Sequence, residues 1–120
     1  MSYDYFIARL TRPCPSLKEI DSADRLASDD WSADLKCVIG EYFPRVTWSD
    51  RDYGFFGAVA PADADGRLEF SCRFAEGRFH VTVYGSFHSD QKDLLRQLAG
   101  RVRASLFDIQ TGELLHLQKF

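Results

Sequence analysis

Long hydrophobic runs are missing from this 120-residue chain. None approaches the roughly eighteen apolar residues that a bilayer-spanning helix requires, so no membrane partner is expected. The first residues, MSYDYFIARL, carry an early acid and no basic stretch ahead of an apolar one. They read as a strand of the mature protein and not as a secretory signal. Cysteine is scarce: Cys14, Cys37 and Cys72 are odd in number, far apart and without C-x-x-C spacing. That pattern suits neither a disulfide framework nor a structural zinc site, so Cys37 and Cys72 read as small core residues in a reducing, cytoplasmic setting. Positive charge is not in excess either. The formal net charge is -3, which disfavours wholesale binding to nucleic acid.

The motifs of several chemistries are also lacking. The glycines of GFFGAVA match neither a dinucleotide fingerprint nor a phosphate-binding loop. No G-x-S-x-G surrounds a serine, and no two of His80, His88 and His116 share the spacing that places metal ligands on one helical face. Neither a metal nor another cofactor is expected, and no catalytic residue stands out.

What the chain does have is apolar material: 45% hydrophobic residues, with ten Phe, five Tyr and two Trp. That suffices for one core in one domain spanning residues 1–120. Residues 3–10 read as a strand ended by Pro13 and Pro15. Residues 17–26 fit a short helix with Ser16 as N-cap and Glu19 completing a capping box. Asp29, Asp30 and Ser32 offer caps for a helix over 33–43, stopped by Pro44. Val46-Thr47-Trp48, a turn at 49–52 and residues 53–60 suggest a hairpin, with Gly54 and Gly57 weakening its second arm; PADADG, residues 61–66, is a loop.

The clearest alternation lies over 67–74 and 78–86, joined by a Glu76-Gly77 turn. Leu68, Phe70, Cys72 and Phe74 share one face with Phe79, Val81 and Val83, while Arg67, Glu69, Ser71, Arg73, His80, Thr82 and Tyr84 form a wet one. Ser89 and Asp90 then cap a helix over 90–106, striped by Leu94, Leu95, Leu98, Val102 and Leu106. A last strand covers 114–117. These elements predict an α+β fold of two layers, a mostly antiparallel sheet with helices packed on one face.

Charge is unevenly distributed. Residues 21–34 carry Asp21, Asp24, Asp29, Asp30 and Asp34 against Arg25 alone. A run of this kind is ordinarily a solvated face; its functional reading is a surface that docks a basic partner. Trp31 lies within it and would serve as an apolar anchor, since Trp and Tyr are enriched at interface hot spots. The competing reading is a pocket on the wet sheet face, lined by Arg67, Glu69, Arg73, His80 and Tyr84, in a small enzyme or ligand-binding domain. A third is pairing of that face with a second copy, which would make a homodimer.

The segment LFDIQTGELLHLQ, residues 106–118, brings Asp108 and Glu113 close in sequence, but no repeat supplies the second carboxylate loop that aspartic proteases need. A turn between the last helix and the last strand explains every residue, with Gly112 permitting positive φ. Together MSYDYFIARL and LFDIQTGEL resemble the two ends of a loose set of small bacterial proteins, many of them toxin-immunity proteins. The resemblance implies a protein that binds and blocks a cognate toxin; joined to the charge reading, it suggests a non-enzymatic inhibitor whose Asp21, Asp24, Asp29, Asp30 and Trp31 would cover the active site of a partner such as a basic nuclease. It brings no catalytic residues to carry over.

Overall fold

A computed structural model describes residues 3–59, 68–85 and 89–120. Seven strands form one sheet: β1 (Tyr3–Ala8), β2 (Val46–Arg51), β3 (Gly54–Val59), β4 (Leu68–Ala75), β5 (Arg78–Gly85), β6 (Ser105–Asp108) and β7 (Leu114–His116). Their order is β2-β3-β4-β5-β1-β6-β7, and every neighbouring pair is antiparallel. Two helices complete the α+β fold, α1 (Ser32–Tyr42) and α2 (Ser89–Arg101). The first strand therefore lies between the β2–β5 meander and the C-terminal β6–β7 hairpin.

The alternation of β4 and β5 holds in the structure. Phe70, Cys72, Phe79, Val81 and Val83 are buried in one cluster with Tyr5 and Ile7 of β1, Leu35, Val38 and Ile39 of α1, and Leu95, Leu98 and Ala99 of α2. Phe74 departs from that set at the strand end, exposed although its ring meets Phe79 at 4.9 Å. Burial pushes the Cys72 thiol up to about 12, as suits a core thiol. Cys37, in contrast, is exposed on α1, so it is not the core residue its sequence context suggests. The β4–β5 turn is a two-residue loop with positive φ at both Glu76 and Gly77, the geometry that matches strand twist.

Four elements differ from their sequence reading, each for a local reason. Residues 17–26 form no continuous helix. They make two short 3-10 turns, Leu17–Glu19 and Ala23–Arg25, with Ser16 accepting the Lys18 N–H at the first. This segment spends its apolar residues on the sheet: Leu10, Cys14 and Leu26 bury against Ala8 and Phe107, with Leu17 and Ile20 packed alongside. In the β2–β3 hairpin, β2 continues through Arg51 and the turn falls at Asp52-Tyr53. Gly54 serves this hairpin, because a Cβ there would stand 2.2 Å from the Cys72 carbonyl oxygen.

The last helix stops at Arg101, and Leu106 belongs to β6. The stop is a Schellman motif: Ala104 N–H bonds the Ala99 carbonyl at 2.9 Å, and Arg103 N–H bonds that of Gly100 at 3.2 Å. Arg103 takes the left-handed conformation, φ +57, that glycine usually provides at this position. Finally, residues 109–112 turn β6 into β7 and are not a hinge from helix to strand. Asp108 accepts the Gln110 N–H at 2.9 Å, and Gly112, φ +76, returns its N–H to the Asp108 carbonyl at 2.7 Å.

Trp31 is 1% exposed and packs edge-on against Phe79, ring centres 4.9 Å apart. Truncating so large a buried ring leaves a cavity that a close-packed core refills only in part. Trp31→Ala is expected to lower unfolding free energy by about 3–5 kcal/mol in denaturant titration with the denaturant slope unchanged. A loss under about 1 kcal/mol would mean the indole is not the core residue described.

Candidate functional site

The acidic connector between β1 and α1 is built from its backbone outward. Past the end of β1, Leu10 bridges to Leu26; Ala27 N–H bonds the Arg9 carbonyl and Thr11 N–H that of Arg25, each at 2.8 Å. The Thr11 hydroxyl donates to the Asp24 carbonyl at 2.9 Å, and Arg78 of β5 donates to that of Leu26. The connector is thus tied to the sheet along its length, although it has little regular structure of its own.

On this frame Asp21, Asp24, Asp29, Asp30 and Asp34 are all exposed. Asp29 pairs with Arg9 at 2.5 Å, Asp34 lies 3.9 Å from the same guanidinium, Asp21 pairs with Arg25 at 3.3 Å, and Asp24 lies 3.9 Å from Arg78. Asp30 accepts both the backbone N–H and the hydroxyl of Ser32 at 3.0 and 2.5 Å in the turn that leads into α1, whose N-cap is Trp31 and not one of the acids the sequence offers. Those bonds, the hydroxyl's first, hold its carboxyl below the usual carboxylate range. The structure therefore gathers the predicted acids on one connector, but it withdraws Trp31. The indole faces the core, with the Arg9 guanidinium 5.3 Å from its ring, and is no exposed anchor.

The predicted sheet-face pocket comes together only in part. Arg67 lies outside the described residues, as do the loop 61–66 and His88. Arg73 stands opposite His80 and Glu69 opposite Tyr84 in the β4–β5 register. A shallow cleft of about 390 Å³ takes in Arg73 and Tyr84 together with Arg51, Tyr53, Phe56 and Ser71, and His80 is not in its lining. His80 is half-buried, its ring 5.6 Å from that of Phe6, and its buried Nδ1 has no hydrogen-bond partner among the described residues. Burial first, and the Arg73 charge second, hold its pKa below 6.5, so at neutral pH it is an uncharged imidazole.

Sequence reasoning missed the residues that organise these places. Arg9 and Arg78 look like ordinary strand-edge cations until the connector is seen folded back on them. Arg51, Tyr53 and Phe56 reach the cleft through the β2–β3–β4 register, which sequence alone does not give. Among the described residues no cluster of His, Cys, Asp and Glu is arranged to hold a metal ion, and no helix is long and apolar enough to cross a membrane.

A neutral buried His80 also sets a pH dependence. The unfolded chain takes up a proton at this residue near 6.5 while the folded chain resists it, so its contribution is present above that pH and is lost as pH falls below it. Stability should decline between pH 7 and 5, and His80→Gln should flatten that decline in denaturant titrations across the range. An unchanged pH slope would contradict the burial described. Comparison with protein-family profiles, with curated proteins and with solved structures gives no match.

Proposed function

We propose that this chain is a non-enzymatic binding protein of the immunity type, which neutralises a cognate bacterial toxin in the cytoplasm by covering its active site. The observation that carries the reading is the acidic connector held on a fixed frame. Its carboxylates project from backbone already bonded to β1 and β5, with the Asp24 side chain 91% exposed. Binding through such a surface orders little chain, and its opposed charge speeds encounter with a basic partner such as a nuclease. In this reading both helices form a second layer on one sheet face. The connector covers part of the other, which gives the acids a firm base. Trp31 contributes by fixing the root of α1 and not by touching the partner.

The sheet-face alternative, an enzyme or ligand site around Glu69, Arg73, His80 and Tyr84, draws less support because His80 is not in the lining of the cleft that holds Arg73 and Tyr84.

The test pairs this chain with the protein encoded by the neighbouring reading frame, in a growth assay and in stopped-flow binding. Asp21→Asn with Asp24→Asn spares the Asp29 pair and the Asp30–Ser32 bonds, so the fold should be retained. The expected result is rescue of growth, a one-to-one complex, and association slowed about tenfold at low salt with a shallower salt dependence in the double variant. No complex would sink the reading. A complex whose association rate ignores both substitutions would remove the acidic connector from it.

A further inference from the structure

Among the described residues, a cleft rich in basic side chains lies at the C-terminal end of α2. Its cavity, about 620 Å³, is lined by Gly100, Arg103, His116, Leu117, Gln118 and Lys119, with no carboxylate side chain among them. The floor is rigid. The Gln118 backbone N–H bonds the buried Ser105 hydroxyl at 3.0 Å, and its side-chain amide bonds both the N–H and the carbonyl of Leu10 at 2.6 and 3.3 Å. Neither Arg103 nor Lys119 has an ion pair among the described residues.

Two local choices at this cleft run against the stability of the helix that borders it. Gly100 occupies the last turn of α2, where alanine would favour the helix and where a Cβ would meet only the His116 ring, at an ordinary 3.5 Å. Arg103 occupies the left-handed position that ends the helix, φ +57, where glycine would be unstrained. Exchanging the two residue types would suit the backbone better at both places. As they stand, glycine leaves the Nε2 edge of His116 free of a Cβ, and arginine contributes a cation to the lining of the same cavity. Departures from local preference that meet in one cavity are the pattern of a binding site.

We infer that this cleft binds a small molecule carrying a phosphate monoester. Arg103 would grip the phosphate oxygens with its planar fork, Lys119 would add a point charge, and the His116 ring would contribute an N–H donor. Leu117, 40% exposed, gives the organic part an apolar wall. The volume suits a small ligand. This site is independent of the acidic connector and stands whether or not that surface docks a toxin.

Titration of the full chain with phenyl phosphate, followed by the His116 ring signals and by calorimetry, tests it. Saturable shifts at His116 are expected, with affinity above that for inorganic phosphate. In Gly100→Ala with Arg103→Gly, the melting temperature should rise by a few degrees while phenyl phosphate affinity drops at least tenfold. Arg96→Gln, a cation of α2 outside the lining, should bind as the parent does. No saturable shift, equal affinity for the two phosphates, a fall in melting temperature, or unchanged binding in the double variant would each overturn the assignment.

Discussion

Arg9 is where the sheet, the helices and the connector meet. Following the last residue of β1, it donates from Nε to the Val102 carbonyl just past α2 at 2.9 Å and pairs with Asp29 ahead of α1. It also lies against Trp31, the buried residue from which α1 begins. Its own carbonyl accepts the Ala27 N–H, so one residue holds the stretch ahead of α1 through both backbone and side chain. A guanidinium suits the place because its donors lie in one plane and point in several directions at once, while its flat face rests on an indole. The carbonyl beyond α2 would otherwise be an orphan, since the last turn of a helix leaves its acceptors without partners.

The remainder of the fold follows from having a central strand whose two faces are both covered. Ile7 enters the larger core with the helices, whereas Ala8 belongs to the smaller cluster with Leu10, Cys14, Leu26 and Phe107. A sheet covered on both faces at one end needs apolar residues from an irregular segment. That explains why residues 17–26 give up helical periodicity to supply them.

What was legible in the sequence tracks how local the deciding physics is. The β4–β5 hairpin announces itself through strict alternation and a Glu76-Gly77 turn, and α1 through its spacing and Pro44. The end of α2 was hidden because Arg103, and not glycine, adopts the left-handed conformation, while Leu106 happens to continue the helical stripe from Val102. Trp31 misled for a related reason: its acidic neighbours describe the surface of the connector, but its own place is set by Phe79 on a distant strand. Of the candidate sites, the acids were readable as a charge run, and their mounting was not. Arg9 and Arg78 acquire roles only when the chain doubles back. The turn within 106–118 is legible from its own residues, but its neighbours are not, since its first residues lie in β6 beside β1.

The account depends on the connector being ordered before any partner arrives. Amide hydrogen exchange of the free protein tests this most directly, at Thr11 and Ala27, whose N–H groups bond the Arg25 and Arg9 carbonyls. The account predicts that both amides are strongly protected and that Arg9→Gln strips protection from them while the β4–β5 amides keep theirs. Exchange at Thr11 and Ala27 as fast as in an unstructured chain would contradict it, because the acids would then be carried on a loose loop with no frame to present them.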